Sequence, residues 1–508
     1  MDFIEGIAAV FKLLVDNMLS GISFTSISFL LFILIGAVLY YIIPKKGQWI
    51  WLLFLGMFFY VVNAGKLTVF IAFSIGTSWL YGYLLKGKKN GKRYVGTKAG
   101  KLGLFVVIAI NVAVLVFLKV ASSGTPIANR LQIDRFAFLI PMGISFYTLQ
   151  IIAYMVDVYK GKIEPEKNPF KYALFVSFFP QILQGPIPRY EQLAHQLYDG
   201  HKFDYEKVTF GLQLMIWGFF QKMVVADAAA IVVNRVFGEY ETYKGLFVLF
   251  AGILYSIQLY ADFAGCVCIA MGAAEVFGIQ LADNFNHPYF STSIKDFWRR
   301  WHISLSSWLR DYIYIPLGGN RKGTIRKYIN LVLTFIVSGL WHGIGSHYIV
   351  WGLLHGFYQV AGEVLMPVRN WFVKVFKVDR NTFSHGLYKQ ITTFFLVMVA
   401  WIFFRADNVR MALIMLKNMV TTFNPWILFN DELYGLGLNP KESRVMFFGI
   451  FVIWVVSMLQ EKMNIRKELS KQSLVFRWII IFAGIFSVLI FGIYGPGYDA
   501  SEFIYGNF

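Results

Sequence analysis

Three of the chain's eight histidines lie close together in an otherwise apolar stretch of sequence. They are His342, His347 and His355, and glycines flank the first of them. A shielded neutral imidazole can remove the proton from a hydroxyl that attacks an acyl group. Metal binding fits less well, because His342 and His347 are five residues apart rather than four and no carboxylate lies nearby. The pattern therefore favours His342 as a general base.

A second polar stretch, from Phe297 to Tyr312, combines tryptophans, arginines and one histidine. Read as one helix, it has an apolar stripe with His302 at its margin, which is typical of an amphipathic helix at a membrane interface. His302 is the residue of this stretch that we single out for chemistry. The stripe consists of Trp298, Trp301, Leu305, Trp308, Leu309 and Tyr312, and Arg299, Arg300, Ser306 and Arg310 lie largely away from it.

The composition indicates the environment in which these residues work. Of the 508 residues, 57% are hydrophobic and only 15% are charged. A soluble globular chain carries roughly 25% charged residues, so this chain has too little charge to cover a soluble surface. The composition predicts an integral membrane protein, in which buried polar groups are costly and are therefore candidates for function.

The formal net charge of +18, from 47 Lys and Arg against 29 Asp and Glu, would suggest nucleic acid in a soluble protein. Here the positive charges fall in short clusters between apolar runs, without the alternating aromatic residues that stack on bases. We therefore expect no nucleic-acid partner and attribute the clusters to the positive-inside rule. The clusters are Lys45-Lys46, Lys86–Lys101, Arg321–Lys327 and Lys462–Arg477.

The apolar runs predict an all-α polytopic membrane fold with about ten to twelve crossings, since a span needs about 20 residues. Two of the runs are interrupted by Pro or Gly, which predicts broken or re-entrant helices that line a cavity. The interrupted runs are Phe170–Leu183 and Ile329–Val360. The other runs are Phe24–Ile43, Trp49–Val62, Leu67–Leu85, Leu102–Val120, Phe136–Val156, Phe210–Val233, Leu246–Ala270, Ile391–Phe404, Val445–Leu459 and Trp478–Tyr494.

The same runs predict the organisation of the chain. Residues 1–20 alternate apolar and charged positions at helical spacing, which predicts an interfacial helix rather than a cleaved signal peptide. Residues 24–494 form a single polytopic domain, and residues 495–508 form a tail. If the basic clusters face the cytoplasm, both termini lie outside it.

At these stretches the sequence resembles the membrane-bound O-acyltransferase (MBOAT) family, in particular the branch that acetylates alginate and other bacterial cell-envelope polymers. The resemblance extends from about Phe24 to the C-terminus. It rests on Trp298–Gly323 (WRRWHISLSSWLRDYIYIPLGGNRKG) and Ser338–Gly343 (SGLWHG), with further matches at Pro141–Gly161, Ser177–Tyr190, Leu259–Gly265 and Trp401–Asp407.

The resemblance implies helices around a tunnel, with a thioester such as acetyl-CoA entering from the cytoplasm as substrate and no permanently bound cofactor or metal. His342 matches the essential histidine of the family, and His302 matches its second polar position, where it orients the acyl carbonyl or the base. Residues that would line or support the tunnel are Trp298, Trp301, Trp341, His355, Arg310 and Asp311.

The last residues, SEFIYGNF, resemble the terminal F-x-Y-x-x-F motif of envelope acyltransferases, with Gly506 and Asn507 where relatives often have an aromatic residue. By this resemblance Tyr505 is an acyl relay. The phenol has a pKa near 10, so its proton is easier to remove than that of an alkyl hydroxyl. The implied partners are a polysaccharide acceptor, membrane lipids and an extracytoplasmic SGNH-hydrolase-like subunit, at a bacterial inner or plasma membrane.

Two other functions stay open from the sequence. One is transfer of D-alanine to teichoic acid from a carrier-protein thioester. The other is transport, with Lys222, Asp227 and Asp262 as an intramembrane relay, although the five-residue spacing of Lys222 and Asp227 favours a structural pair.

Overall fold

The computed structural model describes residues 19, 21–85, 88–89, 92–93, 96–122, 140–182 and 184–494. Within these residues the chain is helical, apart from one antiparallel pairing of Lys88–Lys89 with Lys92–Arg93. The predicted all-α fold is confirmed. Segment 1–20, apart from residue 19, and the tail 495–508 with Tyr505 lie outside the described residues.

The helices follow one another along the chain with short connections. In chain order they are α1 (Ile27–Ile42), α2 (Lys45–Ala64), α3 (Thr68–Leu85), α4 (Lys98–Ser122), α5 (Ile144–Tyr159), α6 (Pro169–Ser177), α7 (Phe179–Ile182), α8 (Tyr190–Asp199), α9 (Tyr205–Phe219), α10 (Asp227–Gly238), α11 (Leu246–Val276), α12 (Ile294–Arg300), α13 (Ile303–Leu309), α14 (Thr324–His342), α15 (Ser346–Val364), α16 (Met366–Val375), α17 (Phe383–Arg405), α18 (Val409–Thr421), α19 (Pro440–Gln460), α20 (Ile465–Ser470) and α21 (Leu474–Phe491). Two π-helical turns occur at Phe220–Ala226 and Arg310–Tyr314. The 3₁₀ turns are Gly65–Leu67, Pro288–Phe290, Pro425–Leu428 and Asp431–Leu436.

Seven helical stretches of the described chain are long and apolar enough to cross a membrane, which makes this a multi-pass membrane protein. They are Lys45–Leu85, Lys98–Ser122, Tyr205–Gly238, Leu246–Val276, Phe383–Arg405, Pro440–Gln460 and Leu474–Phe491. Helices α1 and α5 are apolar but shorter. The expected ten to twelve crossings stay a prediction.

The ends of several helices are set by polar side chains that satisfy the first free backbone N–H groups. Ser26 Oγ accepts from Phe29 N at the start of α1. Asn439 and Glu442 form a reciprocal capping box at the start of α19. The side chains of α21 are exposed or half-buried, so much of its apolar surface is available to lipid.

The chain packs as two compact units. Unit 1 comprises Met1–Phe219, Cys266–Ala282 and Tyr494–Phe508, and unit 2 comprises Phe220–Gly265 and Asp283–Ile493. The single domain expected for residues 24–494 stays a prediction.

In unit 2 the antiparallel helices α14 and α15 approach each other through glycines. A Cβ atom at Gly339 would lie 2.3 Å from Tyr348 O, and one at Gly352 would lie 2.3 Å from Phe335 O. Only a residue without a side chain allows this close packing. The connection between the two helices, residues 343–345, confirms the predicted break near His342.

The stretch around His302 differs from the prediction. The prediction of a single amphipathic helix from Trp298 to Tyr312 was wrong, because α12 ends at Arg300 and α13 begins at Ile303. His302 lies between them with φ 45° and ψ 54°, a left-handed conformation that a non-glycine residue adopts only when its surroundings stabilise it. The apolar spacing continues through the break, so periodicity alone could not reveal it.

Candidate active site

The structure brings His302 and His342 together in one aromatic cluster of unit 2. Both side chains are buried, with 1% and 2% exposure. The Trp341 ring packs against both, with its centroid 6.1 Å from the His302 ring and 4.7 Å from the His342 ring. The two histidines that the sequence singled out thus share one site, although 40 residues separate them in the chain.

His342 is the last residue of α14, and the turn before it fixes its imidazole. Its Nδ1 lies 2.7 Å from the carbonyl oxygen of Ser338. Because a carbonyl oxygen can only accept, Nδ1 carries the proton and donates it. The neutral ring therefore has its lone pair on Nε2, which is the nitrogen able to take a proton from a hydroxyl.

The ring of His342 is held by aromatic neighbours on further elements. The centroid distances are 5.0 Å to Trp351 on α15 and 5.3 Å to Phe404 on α17. Such packing keeps bulk water away from the imidazole and limits its rotation, and both effects favour proton transfer to a bound substrate.

His302 is oriented by a buried asparagine that precedes it in the chain. Its Nδ1 lies 3.2 Å from Asn284 Oδ1. The same oxygen accepts from the backbone N–H of Ser304 at 3.1 Å and from its hydroxyl at 2.8 Å, which identifies it as the amide oxygen rather than the amide nitrogen. His302 Nδ1 is therefore the donor, and its lone pair is also on Nε2. In this tautomer Nε2 of the neutral ring can accept a hydrogen bond but cannot donate one.

His355 has the opposite protonation pattern. The indole N–H of Trp298 donates to His355 Nδ1 over 3.2 Å, and the two rings meet edge to face at 5.0 Å. Since an indole nitrogen only donates, Nδ1 holds the lone pair and the proton is on Nε2. His355 is fully buried, and its Nε2 meets no hydrogen-bond partner among the described residues. This pattern fits the supporting role expected of His355.

The predicted tunnel residues separate into two groups. Trp301 is 1% exposed and packs against Phe297 at 5.5 Å and Trp401 at 5.2 Å, so with Trp298 and Trp341 it belongs to the aromatic cluster. Arg310 and Asp311 instead pair with each other at 2.8 Å on a π-helical turn, with side chains 62% and 35% exposed. They lie on the surface of unit 2 and are not part of the buried cluster.

Sequence reasoning missed the side chains that orient the two histidines. Ser338 could have been found, because it stands four residues before His342 and a helix brings its carbonyl into reach. Asn284 gave no local signal, since it lies 18 residues before His302 and reaches it only through the fold.

Other polar groups of unit 2 form a separate set. Lys222 Nζ lies 2.8 Å from Asp227 Oδ1 and 2.6 Å from Asp262 Oδ1. All three side chains are at most 11% exposed, and the expected structural pairing of Lys222 with Asp227 is confirmed. Among the residues that the structure describes, no group of three or more His, Cys, Asp or Glu side chains could hold a metal ion.

The multi-pass helical fold buries His302 and His342 in one aromatic cluster, and the comparison with known families gives the class of the protein, a membrane-bound acyltransferase. The model of the MBOAT, membrane-bound O-acyltransferase, family matches residues 166–406, which include His302 and His342. The chain belongs to this family, and the resemblance seen in the sequence is confirmed.

Its relatives carry related names. The probable alginate O-acetylase AlgI of Pseudomonas putida is 36% identical over 398 residues, which cover 77% of this chain and 78% of that protein. The peptidoglycan O-acetyltransferase of Helicobacter pylori is 34% identical, covering 82% and 81% respectively. The teichoic acid D-alanyltransferase of Bacillus subtilis is 31% identical over 46% of this chain and 60% of its own length.

Proposed function

We propose that this protein transfers an acetyl group from a cytoplasmic thioester, acetyl-CoA, for the O-acetylation of a cell-envelope polysaccharide. The relatives that cover most of the chain are named for acetylation of alginate and peptidoglycan, and these names support the acetyl group and the kind of acceptor. The observation that carries the mechanism is the bond from His342 Nδ1 to Ser338 O, because it leaves Nε2 as a base inside a buried cluster.

In the proposed reaction, His342 Nε2 removes the proton from an attacking hydroxyl. The hydroxyl oxygen bonds to the thioester carbonyl carbon, the C–S bond breaks, and the departing sulfur takes the proton from His342. The products are an ester and a free thiol, so atoms and charges balance. His302 helps to hold the position of His342, because the Trp341 ring packs against both imidazoles.

The attacking hydroxyl that we propose is that of Tyr505, in the tail outside the described residues. An aryl ester remains an activated acyl donor, since the phenol is a better leaving group than an alkyl alcohol. An SGNH-hydrolase-like subunit outside the cytoplasm would then pass the acetyl group to the polysaccharide.

The test uses the full-length protein in lipid with acetyl-labelled acetyl-CoA. His342→Ala should lower labelling of the protein and release of CoA by about 10²- to 10⁴-fold, the contribution of a general base. Tyr505→Phe should abolish labelling of the protein. Full activity of His342→Ala would contradict the proposal. If acetylation of the acceptor is retained in Tyr505→Phe but lost in His342→Ala, then His342 acts directly on another hydroxyl.

D-alanyl transfer to teichoic acid is the second candidate, because relatives with that name match part of the chain. Competition between labelled acetyl-CoA and labelled D-alanyl carrier protein distinguishes the two. We expect label only from acetyl-CoA, and label only from the carrier protein would reverse the assignment.

A further inference from the structure

The proposed acyl transfer needs a hydrogen-bond donor in addition to a base. Negative charge develops on the carbonyl oxygen during attack, and enzymes stabilise it with donors that already point at that position. His302 and His342 do not supply this donor from Nε2, because the acceptors at Ser338 O and Asn284 Oδ1 hold both Nε2 atoms in the lone-pair form. The donor must come from another side chain or from the backbone.

Unit 2 contains two buried ring N–H groups that meet no hydrogen-bond partner among the described residues. They belong to Trp351 and His355, whereas the N–H of Trp401 interacts with the Tyr289 hydroxyl. A buried donor without an acceptor is costly, so each such group in a native fold calls for a water or a ligand atom as its partner. Trp351 and His355 both lie in the aromatic cluster, and the question is which of them adjoins the base.

Trp351 is the one whose ring contacts His342. The centroids are 5.0 Å apart and the planes meet at 71°. Trp401 and His355 instead contact tryptophans and other aromatic rings of the cluster. Within the described residues, neither of them has a ring contact with His342.

The fold also holds Trp351 in a fixed position. It is 1% exposed, stacks on Trp401 at 5.7 Å and packs edge to face on Phe404 at 5.2 Å. The next residue, Gly352, lies against Phe335 O on α14, the helix that ends at His342. The base and the indole are thus placed by one helix pair, as a preorganised site requires.

We propose that the indole N–H of Trp351 is a catalytic donor to the carbonyl oxygen of the acyl thioester. This inference rests on the proposed function. When the oxygen of the attacking hydroxyl bonds to the thioester carbonyl carbon, its proton passes to His342 Nε2 and the C=O π electron pair moves onto the carbonyl oxygen. Trp351 Nε1–H donates a hydrogen bond to that carbonyl oxygen and stabilises its negative charge. The pair then returns to re-form C=O, the C–S bond breaks and the sulfur takes the proton.

The test removes the N–H group and keeps an aromatic ring at position 351. Trp351→Phe, and replacement of Trp351 by the isostere benzothienylalanine with sulfur in place of N–H, should each lower kcat by about 10²- to 10³-fold. KM for acetyl-CoA should change little, because the charge develops only in the transition state. The matched controls are Trp51→Phe and benzothienylalanine at position 51, which remove an indole N–H that donates to Gly36 O in unit 1, outside the aromatic cluster.

Each outcome separates the inference from the proposed function. Loss of kcat at position 351 with near-normal kcat at position 51 supports the donor role. An unchanged kcat with benzothienylalanine at position 351, or equal losses at both positions, overturns it. If His342→Ala also retains full activity, the proposed function itself fails. If His342→Ala is inactive while the change at position 351 has no effect, His342 remains the proposed base and only the donor role of Trp351 fails.

Discussion

At the scale of single residues, the acceptors next to the histidines decide what each imidazole can do. A carbonyl at Ser338 and an amide oxygen at Asn284 place the lone pair of His342 and His302 on Nε2. An indole N–H from Trp298 does the reverse for His355. His302 and His342 therefore share one protonation pattern and His355 has the opposite one, and the difference lies in their neighbours.

Asn284 offers a test of this orientation. Asn284→Ala removes the acceptor for His302 Nδ1 and for Ser304, so His302 can change tautomer and leave its left-handed conformation. We expect kcat to fall about 10- to 100-fold, less than for loss of a base. Asn284→Asp keeps an acceptor oxygen at this position and should retain most of the activity. The control is Asn286→Ala, a substitution at an exposed residue two positions further along the chain, which should not change kcat. A drop in activity with Asn286→Ala as large as that with Asn284→Ala would argue against a specific role.

At the scale of secondary-structure elements, two helix interruptions create the site. The break after His342 ends α14 where the histidine can face the cluster, and the left-handed turn at His302 redirects the chain between α12 and α13. The π-helical turn Phe220–Ala226 has a related effect. Its i to i+5 repeat brings residues five apart to one side, which explains why Lys222 and Asp227 meet.

Close contact between α14 and α15 can be tested at their glycines. Gly352→Ala would place a Cβ atom 2.3 Å from Phe335 O and force the helices apart. Overpacking of this kind costs about 1–3 kcal/mol, so the free energy of unfolding and the activity should both fall. On the same helix, Gly362→Ala meets no atom within 4 Å and is the control. Thermal unfolding in detergent measures the stability of the two variants. Equal stability of Gly352→Ala and Gly362→Ala would contradict the packing argument.

The Lys222 triad carries a second prediction at this scale. Lys222→Met leaves the Asp227 and Asp262 carboxylates buried without their shared cation. Removing one partner of a buried ion pair costs about 3–5 kcal/mol, so unfolding should occur at markedly lower temperature or denaturant concentration. The exposed Lys417→Met in the same unit should leave stability unchanged. A stable but inactive Lys222→Met would instead indicate a functional role for the triad.

At the scale of the whole molecule, the positive charge and the apolar helices describe how the chain meets the membrane. The net charge of +18 is concentrated in short basic clusters at loops and helix ends, while the side chains of α21 are exposed or half-buried. The exposed apolar helix fits a multi-pass membrane protein, and the basic clusters predict which of its loops face the cytoplasm.

The orientation predicted from these loops can be measured by labelling of cysteines. In a background with Cys266 and Cys268 replaced by alanine, Gln472→Cys marks the Lys462–Arg477 loop and Ser501→Cys marks the tail. A membrane-impermeant maleimide should label Ser501→Cys in intact cells, and Gln472→Cys only after permeabilisation. The opposite pattern would invert the topology and remove the case for Tyr505 as a relay to an extracytoplasmic acceptor.

Much of the architecture could be predicted from the sequence because apolar length and glycine placement act locally. The membrane class, most helix positions and the break near His342 follow from such patterns. The prediction of a continuous helix through His302 was wrong because it relied on such local patterns alone. Local apolar spacing does not register a left-handed turn that is stabilised by contacts with Asn284, a residue outside the segment.

The sequence by itself determined the membrane environment, the family resemblance and His342 as the residue most suited to be the base. Only the tertiary structure decided which nitrogen of each histidine holds the lone pair and that Trp351 adjoins His342, and it separated Arg310 and Asp311 from the cluster. The physical reason is that residue type and spacing determine local helices, whereas tautomer and burial depend on neighbours that are distant in the chain.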